Sequence, residues 1–166
     1  MDKSINDIIT EKYVKCMLFN SRSIVNKISE LYFIIEKYHP KILLLTETWL
    51  NHNNHLISDF TFYSNYTPIF SNRKNKRGGG SLIMINNELS FEPIFNICEF
   101  NCEIVGIKLV ADPKIMIICV YRPPNCSINN TINLFKYLSK FSSKNIIICG
   151  DFNLPKIEWN ENDIKI

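Results

Sequence analysis

Two carboxylates stand where an α/β sheet would use them. Glu47 follows the apolar run Ile42-Leu43-Leu44-Leu45, and Asp151 follows the apolar run that ends at Cys149. α/β sheets present ligand-binding groups at the ends of such strands, along a common edge. Mg²⁺ takes one or two carboxylates and several waters, with substrate phosphate completing its shell, so one Glu and one Asp brought together by folding suffice. Taken singly, each residue also has a structural explanation: Glu47 as a capping or surface residue, and Asp151 as a turn former after Gly150.

Basic residues supply the second chemical signal. Arg73, Lys74, Lys76 and Arg77 precede Gly78-Gly79-Gly80 in a turn that could lie along nucleic-acid phosphates or stand as a solvated loop. It is not a nucleotide P-loop, because the GxxxxGK[ST] spacing is absent and the glycines precede a strand. His52 and His55 lack a neighbouring Cys or carboxylate cluster and read as a solvated loop. His39, before Pro40, reads as a helix-end residue. The six cysteines form no CxxC pair, and Cys16, Cys119 and Cys149 fall inside apolar runs, so they are expected as reduced core residues.

The elements that position these groups follow from periodicity. Tyr13 to Phe19 is β-prone, and Asn20-Ser21-Arg22-Ser23 breaks it, with Ser23 a candidate helix cap. Ile24, Ile28, Leu31, Ile34, Ile35 and Tyr38 recur at helical spacing before Pro40. Ile42 to Leu45 suits a strand buried on both faces. Strands are predicted over Phe60 to Tyr66, Ser81 to Ile85, Phe91 to Ile97, Glu103 to Val110 and Lys114 to Tyr121. A helix is predicted over Ser127 to Phe141, and a fully apolar strand over Asn145 to Cys149.

At 166 residues, 46% hydrophobic and 21% charged, the chain suits one globular domain, and its formal charge of +3 neither requires nor excludes a nucleic-acid partner. The N-terminus carries acidic residues and no apolar core of a secretory signal, and no run approaches a membrane span, so an intracellular protein with no membrane partner is expected.

Five motifs occur in one order: Asn20-Ser21-Arg22-Ser23, Thr46-Glu47-Thr48-Trp49-Leu50, Arg77-Gly78-Gly79-Gly80, Val120-Tyr121-Arg122-Pro123-Pro124 and Gly150-Asp151-Phe152-Asn153-Leu154-Pro155. In these the chain, from about Tyr13 to Trp159, closely resembles the apurinic/apyrimidinic-type endonuclease domain of LINE-like and jockey-like non-LTR retrotransposons. That domain is a branch of the endonuclease/exonuclease/phosphatase superfamily. The resemblance implies a four-layered α/β sandwich of the DNase I-like type, two mixed sheets face to face with helices outside. Residues 1–12 would be an N-terminal lead and 13–166 a partial domain.

By the same resemblance, Asn20 and Glu47 match the metal-site asparagine and glutamate, Tyr121 the tyrosine on the scissile phosphate, and Asp151 and Asn153 the polar pair of the GDFN motif. Glu47 would anchor Mg²⁺, or Mn²⁺ in its place, as Lewis acid. Asn20 would add a neutral oxygen or orient its neighbours, and Tyr121 would donate to a phosphate oxygen. Asp151 would orient or deprotonate the attacking water, and Asn153 would hold the water or the phosphate. Arg22 and Arg122 flank the site as further phosphate-binding candidates.

The family's pattern continues past Ile166 into a further aspartate-bearing loop and a closing Ser-Asp-His motif, so the resemblance implies a domain incomplete at its C-terminus. The expected activity is Mg²⁺-dependent nicking of DNA for retrotransposition, in the nucleus, with a reverse-transcriptase domain downstream in the full polyprotein. The alternatives are a catalytically dead nucleic-acid-binding remnant or another phosphoesterase of the superfamily.

Overall fold

The computed structural model describes residues 13–50, 65–73, 77–111, 113–142, 145–155, 157–160 and 163–165, the last two stretches without side chains. The expected strand over Phe60 to Tyr66 therefore lies almost wholly outside the described residues, as do Lys74, Lys76, His52 and His55.

Two βαβ units build the site edge. Strand β1 (Cys16–Asn20) leads through helix α1 (Ile28–Tyr38) to β2 (Ile42–Thr46), which pairs with β1 in parallel, Asn20 opposite Thr46. After β3 (Tyr66–Ser71), β4 (Ser81–Asn86), β5 (Phe91–Glu99) and β6 (Cys102–Leu109), the pattern repeats. Strand β7 (Met116–Tyr121) leads through α2 (Ile128–Ser139) to the parallel β8 (Ile146–Asp151), with Tyr121 opposite Asp151. A short antiparallel pair, β9 (Glu158–Asn160) and β10 (Asp163–Lys165), follows. Parallel pairing puts both C-terminal ends of each unit on the same side of its sheet.

The sheets, ordered β1-β2-β4-β3 and β5-β6-β7-β8, pack face to face. Alternation along β2 shows why. Leu43 and Leu45 point to α1 and meet Leu31 and Ile35, whereas Ile42 and Leu44 point inward onto Val105, Ile107, Ile117 and Cys119 of the other sheet. All five residues of β2 are buried, as expected of a strand covered on both faces. On the far side of the second sheet, Ile104, Ile118 and Val120 pack under Leu134 and Leu138 of α2. Helix, sheet, sheet and helix make four layers, the architecture the sequence implies.

The structure corrects several local expectations. Helix α1 begins at Ile28, after an N-cap Lys27 with no side-chain capping bond. Ser23 instead adopts φ +77°, and its Oγ accepts from the Val25 N–H at 3.3 Å. Cys16 is exposed rather than part of the core. In β8, at the edge of its sheet among the described residues, Ile147 and Ile148 are 49% and 39% exposed despite the apolar run. The remaining expectations fall on real elements. His39 closes α1 in the left-handed conformation, its N–H on the Ile35 carbonyl, and Ser127 caps α2 by accepting from the Asn130 N–H. No described helix is long and apolar enough to cross a membrane.

Gly150 is required by the pairing of β7 with β8. At its φ of +139° a Cβ would lie 1.9 Å from the Val120 carbonyl oxygen, a contact with backbone that cannot swing aside. Gly150→Ala is expected to cost roughly 2 kcal/mol or more, lowering the melting temperature by roughly 4–8 °C. Thermal denaturation of the purified variant checks this, and an unchanged melting temperature would contradict the strand pairing.

Candidate active site

The residues with chemical potential come from four strand ends. Asn20 ends β1, Glu47 follows β2, Tyr121 ends β7 and Asp151 ends β8. Packing the two sheets brings these ends together although Asn20 and Asp151 are 131 residues apart.

Asn20 joins them. Its Nδ2 donates to Glu47 Oε1 at 2.8 Å and to Asp151 Oδ2 at 2.9 Å, so a single amide spans the two sheets and holds two carboxylates. Its Oδ1 accepts the Arg22 N–H at 3.0 Å, which fixes the amide orientation: the flipped form would set oxygen against carboxylate oxygen and nitrogen against a donor. Of the two roles expected for Asn20, this arrangement matches the hydrogen bond to its acidic neighbours rather than the oxygen ligand, since Oδ1 is taken by Arg22. Its NH₂ faces the carboxylates and orients them, a role that nitrogen cannot combine with ligation.

The loop after β2 holds Glu47 in an unusual backbone state. Glu47 has φ +53° and Trp49 φ +56°, conformations costing roughly 1–2 kcal/mol each for residues with a Cβ. Neighbouring backbone fastens them. Ser21, Ser23 and Ile24 donate their N–H groups to the carbonyls of Thr46, Glu47 and Thr48, and Trp49 donates to the Gly79 carbonyl. Lys27, which the sequence did not single out, donates its Nζ to the carbonyls of Ser21 and Arg22 and secures that loop.

On the opposite sheet Asp151 Oδ1 accepts the N–H of Asn153, itself at φ +47°, where asparagine is tolerated better than most residues. Asn153 Nδ2 donates to the Arg122 carbonyl at 2.8 Å. One amide hydrogen is thus committed to the loop, leaving the other and Oδ1 for a ligand.

Arg122 was a phosphate-binding candidate, and the structure turns it inward. It is 7% exposed, its Nε donates to Thr131 Oγ1, and Nη1 and Nη2 donate to the carbonyls of Pro123, Phe152, Asn153 and Cys126. A guanidinium fork so occupied cannot reach a phosphate; it clamps the loop that carries Asn153. Arg73 is also turned inward, onto Glu103. Arg22 and Arg77 are exposed, and the Arg77 guanidinium lies 5.3 Å from the centre of the Trp49 ring. These two remain placed to meet an external anion.

The electrostatics suit a cation. Among the described residues no basic side chain bonds to Glu47 or Asp151, so the amide alone mediates between two acidic groups. Their oxygens form a hard donor set, and the remaining coordination would be open to water and phosphate, which fits Mg²⁺ or Mn²⁺. No group of three or more His, Cys, Asp or Glu is gathered among the described residues. Tyr121 is buried and its phenol is pushed up to about 12, first by burial and then by Glu47, with Arg73 acting in the opposite sense. It stays protonated at neutral pH, so its hydroxyl is available as a hydrogen-bond donor.

Comparison with known proteins agrees with the fold. Residues 115–165 match the sequence profile of the endonuclease-reverse transcriptase family. Among solved structures, the endonuclease domain of TRAS1, a telomere-specific non-LTR retrotransposon, superposes with a TM-score of 0.58 at 16% identity, over 83% of this chain and 58% of that one. The fold is an α/β sandwich of the endonuclease/exonuclease/phosphatase type.

An AP endonuclease from Archaeoglobus fulgidus matches at TM-score 0.59 and 20% identity, over 85% of this chain and 58% of that one. The catalytic domain of human Nocturnin matches at 0.60 and 15%, over 84% and 64%. The chain spans 48–64% of the lengths of the first three structures it matches. No curated protein sequence matches it.

The inward placement of Arg122 has a direct test. Arg122→Lys retains charge but loses the flat fork, leaving several buried carbonyls unpaired, and is expected to cost roughly 2–3 kcal/mol in denaturant unfolding. Wild-type stability in this variant would contradict the clamp.

Proposed function

We propose that this chain is the N-terminal part of a divalent-metal-dependent nuclease domain that hydrolyses phosphodiester bonds in DNA, with residues 13–166 as a partial domain and 1–12 as a lead. The observation that carries the reading is the Asn20 amide, which draws Glu47 and Asp151 from different sheets onto one nitrogen. Two carboxylates gain nothing structurally from that proximity unless a cation joins them.

Glu47 is the residue that would hold Mg²⁺, and the ion would supply Lewis-acid stabilisation of the charge that grows on phosphate. The chain's own groups do the rest. Asp151, oriented by the Asn153 N–H on Oδ1 and the Asn20 amide on Oδ2, aligns the attacking water and takes its proton. As the water oxygen bonds to phosphorus, the P–O bond to the departing sugar breaks and the sugar oxygen takes a proton from solvent water. Tyr121 donates its hydroxyl to a non-bridging oxygen, where stabilisation is strongest as negative charge accumulates. The free half of the Asn153 amide holds water or phosphate. Arg22 and Arg77 meet flanking phosphates, with Lys74 and Lys76 of the same basic turn as further contacts.

DNA is favoured as substrate by the profile match to the endonuclease-reverse transcriptase family and by the likeness to the TRAS1 endonuclease domain. In this reading the natural event is nicking of a nuclear target site for a retroelement, in company with a reverse-transcriptase domain.

Supercoiled plasmid incubated with the purified protein and Mg²⁺ is expected to be converted to the open circle. Glu47→Ala and Asp151→Ala are each expected to slow this at least roughly hundredfold. Nicking at the wild-type rate in both variants would overturn the assigned roles; salt-dependent DNA binding with no cleavage by the wild type would favour a non-catalytic binding protein.

A further inference from the structure

Glu103 lies at the start of β6, opposite Tyr121 of β7, and its side chain is wholly buried. A buried carboxylate is costly unless it is paired and fully hydrogen-bonded. Arg73 supplies both needs through a two-pronged contact, Nε to Oε1 at 2.9 Å and Nη2 to Oε2 at 3.2 Å, and the Gly80 N–H adds a third bond to Oε2 at 3.1 Å. Gly79 makes room: a Cβ there would lie 2.6 Å from Glu103 Oε2 and 2.8 Å from Arg73 Cζ. The glycines of this turn therefore admit a buried ion pair, and Arg73 is spent on Glu103 rather than on solvent.

What the pair faces gives it a purpose. The Arg73 guanidinium lies 5.7 Å from the centre of the Tyr121 ring, within range of a cation–π contact. The ring thus has a planar cation on one side, fixed by a carboxylate that the sandwich buries. An ion pair of this kind contributes little net stability against an apolar replacement, so its retention beside one aromatic ring points to geometry. We propose that the Arg73–Glu103 pair is a positioning device for Tyr121, setting the ring so that its hydroxyl meets the phosphate. This rests on the nuclease reading above for its consequence, though not for its geometry. Glu103 is a positioning residue: its carboxylate accepts hydrogen bonds from Arg73 and Gly80 and makes none with Asn20, Glu47 or Asp151.

Two measurements separate the inference from the reading beneath it. The first uses protein labelled with ¹³C in the tyrosine rings, with Tyr121→Phe identifying the Tyr121 signal. Glu103→Gln is expected to shift and broaden that signal and to leave Tyr66, whose hydroxyl donates to the distant Pro40 carbonyl, in place. An unmoved Tyr121 signal overturns the proposal whether or not the protein cuts DNA. The second is a double-mutant cycle on plasmid nicking. Glu103→Gln is expected to lower kcat roughly ten- to hundredfold with KM little changed, and to have under a twofold effect in the Tyr121→Phe background. Equal slowing in both backgrounds also overturns it. Should Glu103→Gln unfold, Arg73→Lys carries both tests, since it keeps the charge and loses the fork. A wild type that cuts nothing would sink the nuclease reading, and the ring signal alone would then decide the positioning.

Discussion

The Asn20 amide has two hydrogens and gives one to each sheet. Its bonds to Glu47 and Asp151 can both form only if β1 and β2 pack on β7 and β8 with their C-terminal ends in line. The site is thus a consequence of how two βαβ units are stacked, and the interleaved apolar faces between the sheets set the alignment. Two acidic groups drawn onto one neutral donor repel each other, and a bound cation would offset this. That constraint orders the rest of the structure: the loops exist to hold the carboxylates, and the free basic groups stand to the outside.

Holding them requires backbone in uncommon states. Glu47, Trp49 and Asn153 have positive φ, as do Arg22 and Ser23, so non-glycine residues of this kind gather around the site. Such strain persists only where neighbours over-determine it. Here the neighbours are the hydrogen bonds between the 21–24 and 46–48 segments, the Lys27 amine on two carbonyls and the Arg122 guanidinium on four. Two of the chain's arginines are consequently structural. Arg122 fastens the Asn153 loop, and Arg73 neutralises Glu103 next to Tyr121. Charge on the sequence does not translate into charge offered to a substrate.

This explains what was legible beforehand. Strand β2 and the end of β8 could be read because runs of Ile and Leu closed by an acidic residue are local patterns, and the order of five motifs carried the fold. The fate of each arginine could not be read. Whether Arg122 points to solvent or to the carbonyls of Phe152 and Asn153 depends on a loop 30 residues away. Glu103 escaped notice because, inside the alternating segment Glu103 to Val110, it resembles any solvent-facing strand residue; its burial depends on the turn 77–80 folding over it. Ser23 looked like a helix cap by type, but the chain needed its backbone to follow Glu47 first. The exposed faces of Ile147 and Ile148 were equally hidden, since apolar sequence shows what a strand can be packed by and not what packs it.

The proposed divalent-cation site, held by Glu47 with the Asp151 charge beside it, is what the mechanism rests on. It is tested most directly by titrating Mn²⁺ into the purified protein, following bound ion by electron paramagnetic resonance with Mg²⁺ as competitor. One Mg²⁺-competable site per chain is expected, weakened at least roughly tenfold in both Glu47→Gln and Asp151→Asn. Binding of the same strength in the wild type and both variants would contradict it.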